Sequence, residues 1–215
     1  YRIEKADVLI GLDADFLGTW ISPVEFTRAY REGRSLEGTP PRCSWHVQLE
    51  PRMTVTGAKA DLRHAVPPGE TGLVLNHLAS RVARLAGSSW SAGEAGPCAV
   101  PAADLDRIAE RLWQAKGRSL VLCGSQDTGA QALCNLLNGL LGNYGKTLDL
   151  RRPSLQGQGS DADLLALKEE LQAGKVSALF VLGCNPVYEL PGDWAALLKR
   201  VPLSVACVER MDETA

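Results

Sequence analysis

The stretch Ala178-Leu179-Phe180-Val181-Leu182-Gly183-Cys184-Asn185-Pro186 is an unbroken run of five apolar residues that ends on a glycine, with an Asn-Pro pair just beyond. A run of that length, bounded by turn residues, reads as a strand buried on both faces of a parallel sheet. Gly, Asn and Pro at its carboxyl end make a loop at the edge where open α/β sheets bind ligands. The same design stands near the start, in Val8-Leu9-Ile10-Gly11-Leu12-Asp13-Ala14-Asp15. With Gly11 set on Gly183, Asp13 falls on Asn185, and the chain reads as two related units.

A second feature follows each glycine: Thr56-Gly57-Ala58-Lys59-Ala60-Asp61 after Gly11, and Asp212-Glu213-Thr214-Ala215 after Gly183. The first spacing is the longer, which fits an insertion around Ser35 to Ser44, a segment rich in Gly, Pro, Ser and Arg. The plain alternative is that any α/β protein holds several strand–Gly–loop passages without internal duplication.

Between these landmarks the apolar periodicity alternates. Asp7 to Leu12 reads as a buried strand, and Ser22-Pro23 as a helix start with Ser22 as N-cap, carrying Val24, Phe26, Thr27 and Tyr30 on one face. Trp45, Val47 and Leu49 form one face of a strand, with His46 and Gln48 on the other. Pro67-Pro68-Gly69-Glu70 is a breaker, and Thr71 caps the helix expected after it. From Ala102 onward, helices bearing Leu105, Ile108 and Leu112, then Leu133, Leu136 and Leu140, then Leu164, Leu167 and Leu171, separate strands at Ser119–Cys123, Ala178–Leu182 and Leu203–Val208. A short strand is expected at Thr147–Leu150, and loops at Arg34–Arg42 and Arg151–Ser160. Strands separated by single helices predict an α/β fold: parallel-sheet, Rossmann-like lobes with helices on both faces. The segment 88–101, poor in large apolar residues, reads as a linker between a lobe at 1–87, incomplete at its amino end, and a lobe at 102–215.

The 215 residues are enough for one sizeable α/β core or two small lobes. A net charge of −2, with no basic patch interleaved with aromatics, argues against nucleic acid as a partner. No apolar stretch approaches the roughly 18 residues of a membrane span, and no signal peptide is visible. Starting at Tyr1 and ending on Thr214-Ala215 within a motif, the chain reads as an excised domain, so the parent's compartment stays open. Six cysteines, at 43, 98, 123, 134, 184 and 207, include no Cys-x-x-Cys pair, the clustering that zinc and iron–sulfur sites show. Whether Cys43 pairs with Cys98 is left open.

No Gly-x-Ser-x-Gly elbow, Walker loop or His-Glu-x-x-His motif occurs, and His46, His64 and His77 are not at ligand spacing. Asp13 and Asp15 resemble a carboxylate pair, yet that spacing is also ordinary loop chemistry. No catalytic residue and no metal ligand is assigned. The binding signals are better: Gly183 permits close backbone approach, and Asn185 offers a donor and an acceptor to a base or sugar edge. Thr214 and Thr56 offer hydroxyls to a phosphate or ring, the alternative being plain turn and cap residues.

Leu182-Gly183-Cys184-Asn185-Pro186 followed by Asp212-Glu213-Thr214-Ala215 resembles the "Gly-x-Asn-Pro … Glu-Thr-Ala" pattern of the molybdopterin oxidoreductases, the dimethyl-sulfoxide-reductase family. Gly142-Asn143-Tyr144-Gly145-Lys146 is similar to that family's "Gly-Asn-x-Gly-Lys" turn, and Pro67-Pro68-Gly69-Glu70 to its "Pro-Gly-Asp/Glu" helix entry. Ala6-Asp7-Val8-Leu9-Ile10-Gly11 and Thr56-Gly57-Ala58-Lys59-Ala60-Asp61 match the earlier pair, so the pieces run in the family's order over nearly the whole chain. Leu12-Asp13-Ala14-Asp15-Phe16-Leu17-Gly18-Thr19-Trp20 and Asn185-Pro186-Val187-Tyr188 narrow the likeness to the iron–sulfur/molybdopterin-like subunit of alternative complex III.

The resemblance implies two α/β lobes across whose strand ends a molybdopterin guanine dinucleotide lies. It puts Gly183, Asn185, Pro186 and Thr214 at one cofactor edge and Gly11, Asp13 and Thr56 at the other. It also implies an iron–sulfur domain or subunit and membrane subunits of a respiratory complex as partners, with a periplasmic or membrane-associated parent. The family's metal ligand and cluster cysteines fall outside these residues. Where the family has Asn-Pro, this chain has Asp13-Ala14, and a carboxylate beside a pyrophosphate is repulsive by roughly 1 kcal/mol at about 4 Å. The same fold kept as a cofactor-free structural and interaction module is therefore the alternative expectation.

Overall fold

Strand β1 (Val8–Leu12) is the centre of a four-stranded sheet and is buried along its whole length. Its register is parallel with β2 (Trp45–Glu50) on one side, Leu12 opposite Leu49, and with β4 (Ser119–Cys123) on the other, Leu12 opposite Cys123. Beyond β2 lies β3 (Leu62–Ala65), which gives the order β3-β2-β1-β4, parallel throughout. The computed structural model describes residues 1–38, 40–91, 93, 96–151, 153–154 and 159–215. The fold is α/β and Rossmann-like, and the strand order reverses between β1 and β4, as in a doubly wound sheet.

Helices cover both faces of this sheet. The alternate residues Val8, Ile10 and Leu12 share a core with Val47, Leu49 and Val121. That core is closed by α2 (Thr71–Leu85), α3 (Ala102–Gln114) and α4 (Thr128–Leu140). On the other face Leu9, Leu120 and Leu122 pack with Phe16 and with Phe26 of α1 (Pro23–Glu32). The outer edge of β4, which would otherwise offer unpaired backbone groups to another strand, is capped by side chains. Thr147 Oγ1 donates to Ser119 O (2.6 Å), and the Asn138 amide brackets Val121 N and O (3.2 and 2.8 Å). Gln131 Nε2 donates to Cys123 O (3.1 Å).

The chain divides into two compact units, Tyr1–Gln156 and Gly157–Ala215. This differs from the lobes expected at 1–87 and 102–215, because β4, which follows the 88–101 segment, hydrogen-bonds to β1 and belongs to the first sheet. The second unit contains α5 (Asp161–Gln172), β5 (Ala178–Leu182), α6 (Pro186–Glu189), α7 (Trp194–Leu198) and β6 (Leu203–Cys207). Ser160 Oγ caps α5 by accepting from Asp163 N (3.1 Å). Strands β5 and β6 form a parallel pair, with Leu171, Trp194, Leu197 and Val201 as the core on one face.

The expectation that β5 is buried on both faces does not hold: Phe180 is 60% and Leu182 68% exposed, while Val181, pointing the other way, is 7% exposed. An apolar run fixes the strand and not what covers each face. Ser22 precedes α1 as expected but makes no side-chain capping bond, and Val24 on that helix is exposed. Thr71 is the first residue of α2 rather than its cap. Thr147–Leu150 contributes only an isolated bridge, Tyr144 to Leu148. Parts of the expected linker and loops (Thr39, Ala92, Glu94, Ala95, Arg152 and 155–158) lie outside the described residues. No helix among the described residues is long and apolar enough to cross a membrane.

Candidate functional site

In the second unit the chain leaves β5 through Gly183, whose φ of +61° suits glycine, while Gly183 N donates to Cys207 O at the end of β6 (3.1 Å). A Cβ built on Gly183 meets nothing within 4 Å, so this glycine faces open space. Pro186, buried, opens α6. Asn185 then joins two distant segments: its Nδ2 donates to Glu213 Oε2 (2.7 Å) and its Oδ1 accepts from Thr214 Oγ1 (2.6 Å). Thr214 Oγ1 in turn accepts from Val187 N (3.2 Å). The turn bearing Thr214 is fixed by Asp212 Oδ1, which accepts from Thr214 N and Ala215 N (both 3.0 Å). Of the residues singled out at this edge, Asn185 and Thr214 are hydrogen-bonded and Gly183 and Pro186 flank Asn185.

The first unit repeats this geometry with other residues. Asp13, at φ +50°, occupies the place of Gly183, and Asp13 N donates to Leu49 O (2.9 Å). Asp15 occupies the place of Asn185: its Oδ1 accepts from Thr56 Oγ1 (2.7 Å) and from Thr56 N (3.2 Å). Thr56 Oγ1 accepts from Leu17 N (2.9 Å), as Thr214 does from Val187 N. Thr54 Oγ1 accepts from Gly57 N (3.1 Å), the counterpart of the Asp212–Ala215 bond. Numbers in β1 and β5 keep one constant offset through these pairs, and those in β2, β6 and their turns another.

The internal duplication is therefore present, but the register that set Gly11 on Gly183 and Asp13 on Asn185 is slipped by two residues. Gly11 lies within β1, buried and away from the edge. Its missing Cβ makes room for Gln48, whose Oε1 would stand 2.1 Å from it.

Beneath the first edge runs a feature that no motif announced. His46, Gln48 and Glu50, alternate residues of β2, are all fully buried on one face. Tyr30 Oη meets His46 Nδ1 (3.1 Å), and His46 Nε2 meets Gln48 Oε1 (3.4 Å). Gln48 Nε2 donates to Ala14 O (3.2 Å) and Glu50 Oε2 (3.3 Å). The Glu50 carboxylate also receives Arg63 Nε (2.7 Å), Thr54 N (3.1 Å) and Thr54 Oγ1 (2.7 Å). Gly57 is small for the same reason as Gly11, since a Cβ there would sit 1.8 Å from Glu50 Oε1. Thus Glu50 fixes Thr54, Thr54 fixes the turn, and the turn presents Thr56 to Asp15. The available signal was a strand polar at every second position, His46, Gln48 and Glu50, with apolar residues between them.

The charges follow. Burial alone raises the Glu50 carboxyl, but bonds from Arg63, Thr54 and Gln48 outweigh it and hold the group below its ordinary value. Asp15 behaves likewise, burial opposed and overcome by Thr56, Thr19 and Thr54. Asp13 is raised, by burial first and then by Glu50, with Arg52 opposing. Burial pushes His46 down to about 4, so its imidazole is neutral near pH 7. Glu213 is lowered by the Asn185 bond.

At the second edge, a concavity of about 650 Å³ is lined by Gly183, Asn185, Glu189, Glu209, Arg210 and Asp212, with both Cys184 and Cys207 at its wall. Three carboxylates against one guanidinium make it acceptor-rich. That acceptor set fits the N–H edge of a guanine and not a pyrophosphate, so of a molybdopterin guanine dinucleotide only the guanosine end suits these residues. A larger cavity, about 890 Å³ beside β4 and α4, includes none of the residues of either edge. Among the described residues, no group of three or more His, Cys, Asp or Glu is placed to hold a metal ion. His77 Nε2 meets Gly96 O (2.8 Å), and His64 stands 3.1 Å from Asp104. Cys43 and Cys98 are free thiols.

No family model matches the chain, and a search of curated proteins returns no match.

Proposed function

We propose that the chain is part of a molybdopterin-oxidoreductase-like subunit of a respiratory electron-transfer complex, and that the edge at Gly183, Asn185, Pro186 and Thr214 holds the guanosine end of a molybdopterin guanine dinucleotide. The observation that carries this reading is the union of two distant motifs, Gly-Cys-Asn-Pro and Glu-Thr-Ala, in one hydrogen-bonded cluster at Asn185. The cluster stands at the carboxyl end of parallel strands, where α/β sheets take nucleotides. An iron–sulfur domain and membrane subunits are the partners this reading assigns.

A second reading, a cofactor-free scaffold that keeps the fold, is favoured by the first edge. There Asp13 and Asp15 stand where the second edge has Gly183 and Asn185, and Asp15 is spent on Thr56. Metal analysis by mass spectrometry, with pterin fluorescence after oxidation, tests the two on the protein purified with its partner subunits. Near-stoichiometric molybdenum or tungsten with pterin is the expected result. Iron without either metal or pterin would leave the scaffold reading.

A further inference from the structure

We infer that Cys184 and Cys207 form a dithiol site at the mouth of the second edge, which a low-molecular-weight disulfide converts to an intramolecular cross-link. Both thiols are free and exposed, and both line the concavity of about 650 Å³ that contains Asn185. Backbone geometry brings them to the same place. Cys207 is the last residue of β6 and the register partner of Leu182, the last of β5; partner strands lie about 4.8 Å apart. The hydrogen bond from Gly183 N to Cys207 O (3.1 Å) keeps the chain beside the end of β6, and the positive φ of Gly183 turns it just before Cys184.

Two thiols at this edge are not a requirement of the fold. In the first unit the corresponding residues are Ala14 and Leu49, both buried and both without sulfur. The pair belongs to the second unit alone, at the only one of the two edges where a glycine faces open space.

The chemistry is thiol–disulfide exchange. One protein thiolate attacks a sulfur of glutathione disulfide and expels one glutathione thiolate, leaving a mixed disulfide. The second protein thiolate attacks the protein sulfur of that bond and expels the other glutathione. The protein loses two protons and two electrons, and the glutathione disulfide gains them as two thiols. The new bond ties the loop after β5 to the end of β6, at the wall of the concavity that contains Asn185. In that consequence the inference rests on the proposed function; the cross-link itself does not.

The test is to treat the folded protein with glutathione disulfide, block remaining thiols with N-ethylmaleimide, digest without reduction and read the peptides by mass spectrometry. The expected result is a Cys184–Cys207 linked peptide, lacking two hydrogens, that is lost on reduction and absent from Cys184→Ser and Cys207→Ser. A disulfide requires Cα atoms within about 7 Å. Separate glutathione adducts on Cys184 and Cys207 without a cross-link would overturn the inference, as would linkage of either to another cysteine. Circular dichroism of both serine variants, expected to match the parent, guards against unfolding as the cause of a lost link. Because the readout involves no bound nucleotide, its failure leaves the guanosine reading untouched, and absence of nucleotide binding leaves the cross-link untouched.

Discussion

The two strand edges share a backbone plan and are held in different ways. In the first unit Thr56 is fully buried, and Asp15, Thr54 and Glu50 lock its turn from below. In the second, Thr214 is half-buried, and Asn185, Glu213 and Asp212 lock it from the solvent side. The packing beneath differs to match. Gly11 lies opposite Gln48 in the first sheet, and Val181 opposite Ala206 in the second. Glu50 requires Gly57, whereas the counterparts Val208 and Ala215 keep a side chain at both positions. One design fills the space with a polar row and removes two Cβ atoms; the other exchanges large for small. The same loop can thus be placed by a buried ionic network or by an apolar layer with exposed hydrogen bonds.

The largest expected effect comes from giving the first unit the second unit's residue. Glu50→Val leaves Arg63, Gln48 and Thr54 without their acceptor, and breaking a buried pair costs about 3 kcal/mol or more. Gly57→Ala alone costs about 1–3 kcal/mol by overpacking against Glu50. Combined with Glu50→Val, which removes the carboxyl atoms that the new Cβ would meet, the alanine's cost nearly vanishes. Urea unfolding of the four proteins gives the cycle, with a coupling of about 1 kcal/mol or more expected. An equal cost of Gly57→Ala in both backgrounds would mean that the glycine is not there for Glu50.

Acid should divide the units next. The folded value of His46, about 4, lies below its ordinary 6.5, so the unfolded chain binds more protons between those limits. Stability then falls as pH drops from about 6.5 to about 4, by as much as about 3 kcal/mol. Glu50 and Asp15, both lowered, contribute stability present above their unfolded values and lost below them as pH falls through the folded ones. The second unit has Ser204 where the first has His46. Unfolding free energies measured across this range should fall with acid more steeply for the parent than for His46→Gln, because only the parent carries the His46 proton linkage. Parallel curves would show that His46 is not the proton-linked group.

Much of this architecture was legible in the residues, and where reading failed the reason is physical. Apolar runs ending in turn residues located β1, β4, β5 and β6, and the 3.6-residue periodicity located α2 to α5. The repeat was visible but its register was not. Gly11 and Gly183 look alike in sequence, yet one exists to clear Gln48 and the other to adopt a positive φ. Aligning glycine with glycine therefore hid Asp15, the true counterpart of Asn185. β3 passed unnoticed because Leu62-Arg63-His64-Ala65 has little apolar pattern; its Arg63 is placed by Glu50, a partner distant in the chain. The open face of β5 was misread because a sequence run reports hydrophobicity and not cover.

A smaller contrast concerns the two threonines. Each hydroxyl donates once and accepts once, so the bonds are equal in number and differ in burial. Thr56→Val takes from the Asp15 carboxylate one of the two donors to its Oδ1 and leaves the Leu17 amide without its acceptor, at about 1–2 kcal/mol. Thr214→Val leaves groups that water reaches, at about 0.5 kcal/mol. Equal losses in thermal unfolding would say that water does not reach the second cluster, and that the edge is less open than its exposure implies.

The smallest effect, and the one that bears on function, exchanges the residues that distinguish the edges. Asp15→Asn gives the first edge the amide of the second and keeps an oxygen to accept from Thr56. Asn185→Asp places a carboxylate beside Glu213 and removes the amide donor. Two carboxylates about 4 Å apart repel by about 1 kcal/mol in water, which opens the cluster that Asn185 holds with Glu213 and lowers affinity about fivefold. Titration with guanosine 5′-monophosphate should therefore show Asn185→Asp weaker by about that factor. Asp15→Asn should gain no more than the same amount, because Asp13 retains a charge at that edge. If neither substitution moves the titration, the nucleotide does not meet either loop. If Asp15→Asn alone tightens it, the first edge was closed only by its carboxylate, and the two units are closer in function than their packing makes them in structure.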